Sequence, residues 1–169
     1  WIILSNTYDD IVKFSVSNDR LEYRSGEKVE LQYDFSIRED FHIYSSDSKK
    51  SPIGGETYID YYDSTLILNI YNIEEPVPIT KFDKTFNQNT SFHEGKFSFS
   101  QVITLRDSII PNNYLLEATL YATACDPTLC VRIVEDFSFY INITDGDTRE
   151  EFLFQNKQIK GSDLQEETD

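Results

Sequence analysis

The chain has 169 residues and sets 30 Asp and Glu against 15 Lys and Arg, a formal charge of −15 at pH 7. That acidity excludes nucleic acid, whose phosphates reward basic patches, and argues equally against an anionic membrane surface. A 39% hydrophobic, 14% aromatic composition can build one cored domain with extensions, and no run of roughly 18 apolar residues is present, so the chain as given does not span a bilayer.

In chain order, residues 1–9, beginning Trp1-Ile-Ile-Leu4, read as a leader remnant or arm. Residues 11–17 place Val12, Phe14 and Val16 in one phase of a period-two pattern. The clearest strand is 29–37, where Val29, Leu31, Tyr33, Phe35 and Ile37 alternate with polar partners. Short extended pieces follow at 41–44 and 57–61, then an apolar run at 65–71. Residues 79–96 are polar yet carry Phe82, Phe86 and Phe92, and read as a long surface loop, either covering a site or simply pinned by its aromatics. Phe97, Phe99, Ile103 and Leu105 mark a further strand, and 114–125 with 130–143 form a hairpin. Turn signals fill the gaps, among them Ser25-Gly26, Pro52 with Gly54-Gly55, Gly95 and Pro111-Asn-Asn113. Short strands at this spacing predict an all-β, antiparallel sandwich of immunoglobulin-like type over residues 10–144. The usual intersheet cysteine pair and buried tryptophan are missing, so it is not an antibody-type domain. From 145 to 169 the chain turns polar and acidic and reads as a linker or tail, with one helical turn around Phe152–Phe154.

The two cysteines of the chain lie together in Cys125-Asp-Pro-Thr-Leu-Cys130. Leu116, Ala118, Leu120, Ala122 and Ala124 define the apolar phase of the approaching strand, and Cys125 falls in the other phase. Beyond the turn Val131, Ile133, Phe137, Phe139 and Ile141 are the apolar set, and Cys130 again falls outside it. Unpaired buried thiols behave as small hydrophobes and belong with the apolar phase. This pair is therefore expected to face away from the main core. Three readings are open. A structural staple would close a loop so short that the chain-entropy gain is roughly 2 kcal/mol. A metal site would need two further ligands, and His42 and His93 are distant in sequence. An exchangeable dithiol needs both sulfurs close, exposed and reachable, which the off-core phase favours. Asp126 beside Cys125 disfavours a thiolate there, whereas Arg132, two residues past Cys130 on the same strand face, favours one at Cys130. Either charge could instead be simply solvated.

Phe41-His-Ile-Tyr-Ser45, the following Pro52-Ile-Gly-Gly55 and the later Ala124-Cys-Asp-Pro-Thr-Leu-Cys130 together resemble the N-terminal domain of the DsbD family of thiol:disulfide interchange proteins, over residues 10–143. The resemblance implies a periplasmic immunoglobulin-like domain of an inner-membrane protein that passes reducing equivalents without a bound cofactor. Its partners would be a thioredoxin-like domain on one side and a periplasmic disulfide isomerase or cytochrome-maturation thioredoxin on the other. It further implies that Cys130 forms mixed disulfides with partners and that Cys125 resolves them. Residues 79–96 would be a cap loop, with Phe86 as the shielding aromatic. Tyr44 would stand beside the cysteines, with His42 in place of an adjacent family tyrosine. The chain departs from many members in having Val131-Arg132 after the second cysteine. The expectation is a monomeric protein-disulfide reductase domain; the rival is a binding or adhesion module whose hairpin disulfide is only structural. Asp145-Gly-Asp147 with Glu150 and Glu151 lacks the spacing of a calcium loop, and no Gly-X-Ser-X-Gly nucleophile motif occurs.

Overall fold

The computed structural model describes residues 10–62 and 65–155. The expected arm at 1–9, and the tail beyond 155, lie outside the described residues. The chain folds as two antiparallel sheets packed face to face. One sheet runs in the order β1 (Val12–Asn18), β2 (Lys28–Ile37), β8 (Lys96–Leu105), β5 (Ile67–Ile70). The other runs β10 (Cys130–Ile143), β9 (Asn112–Cys125), β3 (His42–Tyr44), β7 (Gln88–His93), β6 (Ile79–Asp83), with β4 (Tyr58–Tyr61) paired to β9 beside β3.

Alternation decides which faces meet. Val29, Leu31, Tyr33, Phe35 and Ile37 of β2 all point inward, as do Leu116, Leu120, Ala122 and Ala124 of β9. Phe35, Phe97 and Phe99 form an aromatic cluster on the β2–β8 pair with ring centroids 5.1–5.4 Å apart. The expected immunoglobulin-like sandwich is thus observed, with strands at each place the alternation indicated.

The segment 79–96 is not an irregular loop. Its first part forms the β6–β7 hairpin, turning through Lys84–Asn87 with Asn87 in the left-handed region at φ 52°. Its polarity concealed this, because β6 is the edge strand of its sheet and Ile79, Lys81 and Phe82 are exposed. Asp83 Oδ1 accepts from the backbone N–H of Thr85 (2.9 Å) and Phe86 (3.3 Å), an Asx-type turn that sets where Phe86 stands.

Residues 145–155 lie against the sandwich. Arg149 donates through Nε (2.7 Å) and Nη2 (2.8 Å) to the fully buried Glu27, which also accepts from Arg20. Phe154 stacks on Tyr71 at 3.8 Å, and the helical turn near Phe152 is a short 3-10 turn, Glu150–Phe152.

Candidate functional site

Strand register builds the site. Cys125 and Cys130 are direct partners across the β9–β10 hairpin and are joined by a disulfide. On its other side Cys125 is paired with His42 of β3. Opposed residues of an antiparallel pair project from the same face. Cys130, Cys125 and His42 therefore form one row across three strands, with Tyr44, two residues beyond His42, on the same face beside its partner Phe92 of β7. Ile43 and Ala124 point the other way into the main core. The motif Phe41-His-Ile-Tyr-Ser45 is thus a strand with one face in the core and one at the disulfide.

The two cysteines are not equivalent, and here the structure corrects the expectation of two exposed sulfurs. Cys130 is exposed, but Cys125 is only 2% accessible and packs with Tyr44 and Phe92 in a small cluster separate from the main core. The reason is the β6–β7 hairpin, which continues the sheet past β3 and brings Phe92, Asp83 and Phe86 against Tyr44 on a face that strand alternation alone would leave to solvent. Between this hairpin and the cysteine turn is a cavity of about 360 Å³. It is lined by both cysteines, His42, Tyr44 and Phe92, and from the hairpin by Lys81 through Phe86.

The Tyr44 hydroxyl lies 3.6 Å from Cys125 Sγ and 3.2 Å from Asp83 Oδ2. It has one proton, and the carboxylate is the stronger acceptor, so Tyr44 donates to Asp83 and turns its lone pairs toward the sulfur. Burial, and then the Asp83 charge, lift the Tyr44 pKa well above the ordinary phenol range. Phe86 meets Tyr44 edge to face at 6.3 Å. His42 sits against Phe92 at 4.5 Å and edge-on to Tyr44 at 5.2 Å. Burial lowers the His42 pKa from its ordinary value, while the charges of Asp83 and Glu94 pull the other way. In the cysteine turn, the N–H groups of Thr128 and Leu129 bind the Asp126 carboxylate at 2.7 and 2.6 Å. The Thr128 bond is the main reason Asp126 is held below the usual carboxylate range.

Of the six residues singled out from sequence, the cavity gathers Cys125, Cys130, His42, Tyr44 and Phe86. Arg132 is not among its lining. Its guanidinium donates to the Gly54 carbonyl at 2.7 Å and to Thr123 Oγ1 at 3.3 Å, and lies 5.5 Å from the Tyr121 ring centroid. Arg132 thereby fastens the Gly54-Gly55 turn to β9 and β10, and Gly54 itself has φ 72°. Two residues of the site went unassigned in the sequence. Phe92 stood out only as one of three loop aromatics. Asp83 had no mark beyond the frequency with which aspartate opens turns. The two histidines do not converge: His93 is paired with Ile43 on the core side of the sheet and bonds Glu75 Oε2 at 3.1 Å, whereas His42 is on the disulfide side. Among the described residues, no cluster of three or more His, Cys, Asp or Glu could hold a metal ion, and no helix is long and apolar enough to cross a membrane.

No protein-family model matches the chain, and no curated protein matches its sequence. Among solved structures, the N-terminal periplasmic domain of ScsB from Proteus mirabilis matches with a TM-score of 0.55 and 15% identity over 82% of this chain and 49% of that one. The fold is shared with that domain. The chain spans about half the length of the ScsB structure. The N-terminal domain of DsbD from Neisseria meningitidis, solved in its reduced form, aligns with a TM-score of 0.48 and 12% identity over 82% of this chain and 91% of that one.

Proposed function

We propose that this domain exchanges its Cys125–Cys130 disulfide with partner proteins. The observation that carries the reading is the asymmetry of the pair: an exposed sulfur joined to a buried one, under a hairpin, on a sheet face apart from the main core. A staple needs no such arrangement, whereas a two-step exchange uses each half of it. In the reducing direction the Cys130 thiolate attacks one sulfur of a partner disulfide. That bond breaks, the partner's other sulfur leaves as a thiolate and takes up a proton, and a mixed disulfide forms through Cys130. Cys125 then attacks Cys130 Sγ, regenerating the internal disulfide and releasing the partner's second sulfur. The partner gains two electrons and two protons; this chain loses them. Re-reduction is the same sequence in reverse with a thioredoxin-like donor.

Burial suits Cys125 to the resolving role, since only its own neighbour needs to reach it. Exposure suits Cys130 to meeting a partner, and Leu129 beside it is exposed as well. The β6–β7 hairpin with Phe86 acts as a cap over the pair, and Arg132 shapes the surface next to Cys130. The reading extends to a periplasmic location as part of an inner-membrane protein. A thioredoxin-like domain would then supply the electrons, and a disulfide isomerase or cytochrome-maturation thioredoxin would receive them. The exchange itself requires no cofactor.

The test combines a potential with trapping. Equilibration against glutathione and thioredoxin buffers should place the pair above the roughly −300 mV below which structural disulfides of secreted proteins lie. Cys125→Ser should accumulate mixed disulfides with a thioredoxin-fold partner, and Cys130→Ser should accumulate none. A pair that stays oxidised in the folded state under these buffers would make it a staple and overturn the reading. Equal trapping by both variants would overturn the assignment of roles.

A further inference from the structure

The exchange just described, on which this inference rests, leaves one proton without a carrier. When Cys125 resolves the mixed disulfide it must first lose its thiol proton, inside a buried cluster and near the Asp83 carboxylate. Both surroundings hold a thiol in its protonated form. Some group facing Cys125 has to take that proton, and the structure narrows the choice.

Tyr44 is nearest, but its hydroxyl already carries a proton and donates it to Asp83. Asp83 is occupied on both oxygens, by Tyr44 on one and by the N–H groups of Thr85 and Phe86 on the other. His42 is different. It is the register partner of Cys125, so the two side chains leave adjacent strands on the same face. Its ring is held between Phe92 and Tyr44. Its Nε2 is buried with no hydrogen-bond partner. Buried polar atoms of native proteins are nearly always bonded, so an orphan on the residue paired with Cys125 calls for a reason. His42 and both sulfurs line the same cavity.

We propose that His42 Nε2 is the proton acceptor for Cys125 during resolution of the mixed disulfide. The Cys125 S–H bond breaks and its proton passes to Nε2. The resulting thiolate forms the bond to Cys130 Sγ, and the electron pair of the broken mixed-disulfide bond leaves on the partner sulfur. The imidazolium then gives its proton to that sulfur or to solvent, and His42 returns to its neutral state. The surroundings of the ring fit this cycle. Burial keeps the imidazole neutral near pH 7, ready to accept, while Asp83 and Glu94 support the charged form once it arises. Asp40 and Asp126 add further negative charge around the cavity, and Lys81 and Lys84 oppose them from the hairpin.

The experiment separates the two sulfur steps in the full chain. The reduced protein is mixed in a stopped-flow instrument with a small aromatic disulfide whose released thiol is coloured. Capture by Cys130 releases one coloured thiol, and resolution by Cys125 releases the second. Because that thiol is a good leaving group needing no proton, the second phase reports only proton removal and attack at Cys125. In the wild type the second phase should rise with pH through the range where the imidazole loses its proton, then level off. His42→Phe keeps the ring packing without the nitrogen. It should slow the second phase roughly tenfold or more at neutral pH and move its rise above the ordinary thiol range of about 8.5, where the buried thiol itself ionises. The first phase should not change. His42→Gln, which restores polarity without a titratable base, should behave as His42→Phe does, and carries the test alone if the phenylalanine variant misfolds. A second phase with wild-type rate and pH midpoint in these variants overturns the role of His42. Failure of the exchange reading looks different: the wild type itself then gives no second phase after reduction.

Discussion

The two ends of the β9–β10 hairpin satisfy their buried polar groups to different extents. At the end where Ile143 bridges to Tyr23, Glu27 is fully buried and its carboxylate is saturated: Arg149 and Arg20 donate to it, as do the N–H groups of Arg24 and Arg149. At the cysteine end, His42 keeps an orphan nitrogen, Cys125 has only a long contact from Tyr44, and a cavity separates the cap from the sulfurs. The first arrangement uses its bonds to hold chain segments some 122 residues apart. The second leaves bonding capacity unused in the folded chain, which the proposed exchange would draw on. The difference is one of degree, since Arg24 Nε also lacks a partner near the Glu27 end. It still offers a physical criterion for telling a structural polar cluster from a reactive one: whether the groups are already satisfied in the resting state.

Breaking the saturated end should have the largest effect on stability. Glu27→Ala leaves Arg149 and Arg20 without their shared anion and should cost about 3 kcal/mol, read as a drop in the denaturation midpoint. The rate of exchange at the cysteine end, measured below the transition, should stay as in wild type. If exchange slowed in proportion to the lost stability, the two ends would not be independent.

Acid should reveal the same cluster without mutation. Burial alone would raise the Glu27 pKa, but the bonds from Arg149 and the Arg24 N–H prevail and bring it to about 2, against an ordinary 4.5. Glu75, bonded by His93, Ser45 and the Ser46 N–H, is likewise brought to about 2 against its burial. A carboxylate whose folded pKa is depressed contributes its full stability above the unfolded value and loses it as pH falls through the folded one. The contribution of these two carboxylates should therefore be level above pH 4.5 and fall between 4.5 and 2, by on the order of 3 kcal/mol for each. Urea midpoints across this range check it, and Glu27→Ala should flatten the slope by about half.

The smallest effect tests the open end. Phe86 is 41% exposed, so its remaining contact over Tyr44 amounts to about 1 kcal/mol of cap closure. Phe86→Ala should speed reduction of the disulfide by a small phosphine roughly fivefold and leave the melting temperature nearly unchanged. An unaltered rate would mean that this side chain does not gate access.

Much of this was legible in the sequence because alternation is local. Val29 through Ile37 announced a strand with one buried face, and the phase of Cys125 relative to Ala122 and Ala124 placed the disulfide off the main core before any neighbour was known. The same rule puts His42 and Tyr44 on one face and Phe41 and Ile43 on the other. What alternation cannot say is what lies opposite a face. That Cys125 is buried follows from β7 pairing with β3 and carrying β6 beyond it, a long-range choice that leaves no periodic trace in the polar segment 79–96. Asp83 is 42 residues from Cys125 in sequence and meets it only through Tyr44, which bonds across 39 residues in one direction and 81 in the other. Arg149, in a stretch whose composition reads as solvated linker, is committed to Glu27 because that carboxylate is buried. Burial of a charge is decided by the packed structure and not by the residues on either side of it. The sequence by itself determined which faces the strands present, since side-chain direction follows from the backbone of each strand alone. The tertiary structure decided which of those faces are covered, and so made one cysteine accessible and the other hidden, because coverage depends on strands that meet only after the chain has folded.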